Sequence, residues 1–136
     1  MALLEWNADL SVSVPVFDSQ HGRLIDLINE LHSSMTAGKG RLVIQKILDE
    51  LVEYTRYHFT LEENALKKYD YPQLQEHIRL HEGFIEKLKS LTEKKEKGEL
   101  FVPIEVFDFL NNWLINHIKI EDKKYAAFLA GKPIQE

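Results

Sequence analysis

Apolar residues recur at three- and four-residue steps through four long stretches of this chain, and that period leaves little room for anything but helices. Residues 19 to 37 place Leu24, Leu27, Ile28 and Leu31 on one face, and Gly38 and Gly40 then interrupt the pattern. A second stretch, 41 to 68, repeats it with Val43, Ile44, Ile47, Leu48, Leu51, Val52 and Thr55. It runs into KYDYP, where Pro72 suits the first turn of the next helix because its missing N–H is not needed there. The third, 72 to 97, carries Leu74, Ile78, Leu80, Phe84, Ile85, Leu88 and Leu91. After Gly98, Pro103 opens a fourth over 103 to 129, with Val106, Phe107, Leu110, Trp113, Leu114 and Ile118, before Gly131 and Pro133. Helices of this length joined by short loops must return beside one another, so the expected fold is all-α, an antiparallel up-down-up-down four-helix bundle.

Residues 1 to 18, with Leu4, Trp6, Val12, Val14 and Pro15, read as an extended arm laid on the bundle of 19 to 129, and 130 to 136 as a tail. The whole chain of 136 residues is expected to form one domain with a single core. Neither internal repeats nor low-complexity segments occur, and the lysine-rich stretch 94 to 97 reads as a solvated helix end.

Composition narrows the chemistry. With 17 Lys+Arg against 22 Asp+Glu, the net charge of -5 offers no basic surface for phosphate neutralisation, so nucleic acid is not an expected partner. The chain has no cysteine, which removes disulfides, thiolate nucleophiles, iron–sulfur clusters and Cys-type zinc sites together. Any metal must be held by histidine and carboxylate. The start, MALLEWNADL, has no basic segment of the kind that opens a signal peptide, and no apolar run approaches membrane-spanning length. The expectation is a cytoplasmic protein with no membrane partner.

Five of the six histidines fall into one pattern. His58 is followed at four residues by Glu62, His77 at four by His81, and His117 at four or five by Glu121 or Asp122. An i,i+4 pair shares a helix face with about 5–6 Å between Cβ atoms, close enough for both side chains to reach one ion. In antiparallel helices, residues equidistant from a connecting loop lie at the same height. With turns at 39–40, 69–70 and 99–100, reflection carries 21 to about 58, 58 to about 81, 62 to about 77, and 81 and 77 to about 118 and 122. Five histidines and two carboxylates therefore share a layer. His32 lies eleven residues after His21, about 16 Å along the helix, and reads as structural or surface.

Imidazoles with carboxylates suit iron, zinc, copper or nickel, and seven protein ligands are too many for one ion, so two are implied. If each is octahedral, with both carboxylates and one solvent-derived oxygen bridging, five histidines fill five of six terminal places. The open place is where a small molecule would bind.

The motifs DSQH (18 to 21), HFTLEE (58 to 63), HIRLH (77 to 81) and WLINHIKIED (113 to 122), together with LLEW near the start, resemble the hemerythrin family, and within it the stand-alone bacteriohemerythrins. The resemblance implies His77, His81 and His117 on one non-haem iron, His21 and His58 on the other, and Glu62 and Asp122 bridging alongside an oxo or hydroxo group. It implies reversible dioxygen binding at the two-histidine iron, serving transport, storage or sensing, in a protein that is not an enzyme and is read as a monomer. A recipient or signalling protein would then be the further partner. On a regular helix Glu121 shares the face of His117, whereas Asp122 is turned about 140° from it. The family pattern selects Asp122 and so requires a bend or bulge near the helix end. Trp113 and Leu114 precede His117 by four and three residues and Leu24 follows His21 by three, so all three point into the layer. The resemblance implies that Trp113 and Leu114 line the dioxygen site, with Phe59 and Ile118 adding to the wall.

The nearest alternative is a di-iron enzyme, ferroxidase or peroxidase-like. Bundles that activate dioxygen are rich in carboxylates and carry two Glu-x-x-His motifs, and Glu62, Glu63, Glu76 and Glu82 all lack the histidine three residues on. A zinc hydrolase is weaker still, because HIRLH has Ile78 where a zincin places its general-base glutamate.

Overall fold

The computed structural model describes residues 10–99 and 101–134. Its elements are α1 (Pro15–Thr36), α2 (Gly40–Lys68), α3 (Leu74–Glu96) and α4 (Val102–Asn116), followed by a π-helical segment (His117–Asp122) and α5 (Lys123–Leu129). No strand occurs among the described residues. Packing of α1 on α2 and α4, of α2 on α3, and of α3 on α4 closes the antiparallel four-helix bundle, with the π segment and α5 completing the fourth column.

Helix boundaries follow local chemistry. α1 starts at Pro15 rather than at residue 19, because proline in a first turn has the backbone angle a helix needs and no N–H to leave unpaired. The residues just before it are fastened by Asp18, whose carboxylate accepts from Ser11 Oγ at 2.7 Å and from the Val12 N–H at 2.8 Å. Leu10, Val12 and Val14 are buried as a result. The rest of the expected arm, including Leu4 and Trp6, lies outside the described residues. α3 begins at Leu74, two residues beyond the expected start, since Pro72 is taken up by the turn that Asp70 enters at φ 57°. Gly40 permits a close approach of columns: a Cβ there would stand 2.9 Å from Met35 Cγ and 3.2 Å from Pro103 Cβ.

The loop 37–39 and the connection from α3 to α4 close one end of the bundle, and 69–73 turns at the other. Between the first pair of loops and the middle, the core is apolar: Leu27, Ile28 and Leu31 from α1, Ile44, Ile47 and Leu48 from α2, Leu88 and Leu91 from α3, Val106 and Leu110 from α4. His32 belongs to this half, buried with its ring 5.4 Å from that of Phe107. Toward the α2–α3 turn the buried residues change character and become ionisable.

Candidate metal centre

Four columns each send polar side chains into that end of the core. α1 supplies His21, α2 His58 and Glu62, α3 His77 and His81, and the π segment His117 and Asp122, all of them buried. The pairs on α2 and α3 follow from i,i+4 spacing on a regular helix. The fourth column needs more. A π turn closes i→i+5 instead of i→i+4, so the residue five after His117 comes onto its face. Asp122 is thereby 1% exposed with Oδ1 3.0 Å from His117 Nε2, while Glu121 points outward and pairs with Lys124 at 3.1 Å.

Each carboxylate divides its two oxygens between two groups of imidazoles. Glu62 Oε1 lies 2.5 Å from His77 Nε2 and 3.2 Å from His81 Nε2, and its Oε2 lies 3.2 Å from His58 Nε2 and 3.8 Å from His21 Nε2. Asp122 Oδ1 faces His77 and His117 at 3.2 and 3.0 Å, and its Oδ2 faces His21 at 3.2 Å. His21 and His58 approach Nε2 to Nε2 at 3.0 Å, and His81 and His117 at 3.2 Å. Ligand atoms of Glu62, His77, His81, His117 and Asp122 all lie within 4.8 Å of one another, as do those of His21, His58 and Glu62.

Two outward partners set the tautomers. His58 Nδ1 donates to Gln20 Oε1 at 2.5 Å, and His81 Nδ1 donates to Glu63 Oε2 at 2.7 Å. Both acceptors keep the proton on Nδ1, which leaves each Nε2 lone pair aimed into the cluster. The Tyr125 hydroxyl, fully buried, donates to Glu62 Oε2 at 2.7 Å. Phe59 stacks on His81 with centroids 3.7 Å apart, and Trp113 on His117 at 4.4 Å, so both aromatics cover the three-histidine group. Leu24, Leu114 and Ile118 are buried in the core, and Trp113 is half-buried against it.

The electrostatics are those of a site made for cations. Burial opposes charge on His21 and His77, yet the close, oppositely charged Asp122 and Glu62 carboxylates outweigh it and raise them to about 9 and about 10. Burial likewise opposes charge on His81, which Glu62 and Glu63 nonetheless raise, while burial holds His58 below its ordinary value. Glu62 and Asp122 are pushed far below the carboxylate range: burial works the other way, but surrounding imidazoles prevail. Both Asp122 oxygens and His21 Nδ1 are buried with no hydrogen-bond partner. A carboxylate left so costs about 1–3 kcal/mol or more, a debt that a bound cation between the two imidazole groups removes. The donor set fits that group: neutral nitrogen lone pairs and carboxylate oxygens converge, with one oxygen of each carboxylate toward each group.

Residues 12–129 match the family model described as hemerythrin HHE cation binding domain. The chain belongs to the hemerythrin family. It is 37% identical over 126 residues to a bacteriohemerythrin of Stenotrophomonas maltophilia, covering 93% of this chain and 81% of the relative. A bacteriohemerythrin of Methylococcus capsulatus is 34% identical over 132 residues, 96% of this chain and all of the relative. A crystal structure of wild-type hemerythrin superposes with a TM-score of 0.86 at 33% identity, over 96% of this chain and 100% of the other. As in the family, this hemerythrin fold buries a His/Glu/Asp cluster that fits a di-iron site for oxygen binding.

Gln20, Glu63 and Tyr125 hydrogen-bond to the cluster and were passed over by sequence reasoning. Gln20 and Glu63 sit one position from His21 and Glu62, off the inward face, and reach histidines on neighbouring helices, which no spacing within one helix reveals. Tyr125 had a readable signal, since it follows Asp122 by three residues on the inward face.

Proposed function

We propose that His77, His81 and His117 hold one iron, that His21 and His58 hold the other, that Glu62 and Asp122 bridge them, and that dioxygen binds reversibly at the two-histidine end. The observation that carries this reading is the division of each carboxylate between the two imidazole groups, which gives a bridge rather than a pair of terminal ligands. When bound, the irons supply the electrons that dioxygen takes up on binding and returns on release. The chain's own residues do the rest. Five neutral imidazoles with two carboxylates stabilise ferric charge less than a carboxylate-rich set would, which favours return of dioxygen over oxidative chemistry. The buried side chains of Leu24, Leu114 and Ile118 keep water from the bound molecule, and Phe59 and Trp113 cover the imidazoles of the three-histidine group. On this reading the protein is an oxygen carrier, store or sensor rather than an enzyme. It acts as a monomer in the cytoplasm, with a recipient or signalling protein as its further partner. No helix of the described residues is long and apolar enough to cross a membrane.

The test is metal content on purified protein, then the visible spectrum through cycles of anaerobic reduction, air and degassing. Two irons per chain and a dioxygen-dependent band that appears and vanishes reversibly is the expected outcome. Iron that oxidises once, with no oxygenated species, would move the assignment to a di-iron enzyme.

A further inference from the structure

The imidazoles of the two ends differ in what they meet on the side facing away from the centre. At the two-histidine end His58 Nδ1 donates to the neutral amide of Gln20, which is 4% exposed and reaches across from α1. His21 Nδ1, its neighbour, has no hydrogen-bond partner. At the three-histidine end His81 Nδ1 donates instead to the carboxylate of Glu63, reaching across from α2. The two contacts have the same form, but one acceptor is neutral and the other anionic.

That difference has a direction. An anionic acceptor draws the Nδ1 proton toward itself and enriches the lone pair on Nε2, making the imidazole a stronger donor, and outward partners of this kind are known to tune the metal they face. A stronger donor favours the higher oxidation state. An amide oxygen orients the ring equally well but polarises it far less, because it carries no net charge.

We propose that Glu63 and Gln20 make the two metal positions electronically unequal. Glu63, acting through His81, biases the three-histidine position toward the oxidised state, and Gln20, acting through His58, leaves the dioxygen-receiving position easier to keep reduced. Both are positioning residues, and the inference rests on the metal assignment proposed above. The size of the effect is limited by solvent. Glu63 has a quarter of its side chain exposed, in a groove between α2 and α3 that Arg56, Glu82, Glu86 and Lys89 also line. A charge in that setting acts at an effective dielectric well above that of a dry interior, which points to about a tenfold effect.

Glu63→Gln separates charge from orientation, since glutamine keeps the shape and an accepting oxygen. The iron-loaded variant should retain two irons per chain, with its ratio of oxidised to reduced protein at a fixed potential lowered about tenfold, or about 59 mV higher in midpoint for a one-electron step. Gln20→Glu should move the midpoint the other way. If Glu63→Gln holds iron too poorly to be poised, Gln20→Glu decides the matter alone: a lowered midpoint supports the inference and an unmoved one overturns it. Two irons with an unmoved midpoint in Glu63→Gln would mean that Glu63 only orients His81, and would sink this inference while leaving the metal assignment intact. A wild-type chain that takes up no pair of irons would bring down both.

Discussion

At the scale of single residues, the site combines groups that would be costly apart. Asp122 and Glu62 are buried carboxylates within reach of five buried imidazoles, and Asp122 has both oxygens without a hydrogen-bond partner. Such a constellation is stable only with positive charge between its members, whether from metal or from protons. The apolar neighbours have a separate task. Leu114 is 2% exposed and precedes His117 by three residues, so its side chain stands on the same face one turn before that proposed ligand. Leu114→Ala should cost about 2–5 kcal/mol of stability through the cavity it leaves, and should keep two irons per chain. Because water then enters the wall, the oxygenated form should decay faster than in the wild type. The decay of its visible band in air-saturated buffer measures this, and an unchanged rate would remove Leu114 from the wall.

Among the elements, the π segment does what a regular helix cannot. On an α-helical continuation, Glu121 would have faced the centre and Asp122 the solvent; one wider turn reverses them. The reversal makes a paired prediction. Glu121→Gln removes only an exposed contact with Lys124, worth about 0.2–1 kcal/mol, and should retain two irons per chain. Asp122→Asn replaces the carboxylate proposed as a bridge by a neutral amide of the same size and should fall below two. Iron analysis on both variants decides it, and equal retention would contradict the bridge. This is also where the sequence was least legible. The four helical faces, and the height at which His58, Glu62, His77 and His81 meet, follow from period and reflection alone, since those residues lie on regular helix. The π turn depends on tertiary demand from the facing carboxylate and imidazoles, so family resemblance rather than spacing selected Asp122. Pro15 was misplaced for a different reason: proline marks an extended arm and a helix first turn equally well, and only Asp18 fastening the chain ahead of it distinguishes them.

For the whole molecule, the bundle divides its labour lengthwise, with an apolar half that supplies the stability and an ionisable half whose stability depends on what fills it. Protons and metal compete for the same Nε2 atoms, so removing the metal exposes a pH dependence that the loaded protein hides. In the metal-free protein His21 is raised from 6.5 to about 9 and His77 from 6.5 to about 10. A base whose folded value is raised contributes stability that is fully present below its unfolded value and lost as pH rises through the folded one. The window is therefore pH 6.5 to 10, and stability must fall across it. Glu62 and Asp122, held low, stay ionised throughout that window and contribute no opposing change. His58, held below its ordinary 6.5 in the fold, makes its opposing change at and below the low end of that window. Thermal melts of metal-free protein should show a midpoint that declines steadily between pH 7 and pH 10. With two irons bound the imidazoles are neutral ligands at every pH in the range, so the loaded protein should not follow the decline, and the gap between the two forms should widen with pH. A flat midpoint for the metal-free protein over that range would show that protons do not stand in for the metal, and that the empty cluster relaxes by separating its carboxylates from its histidines.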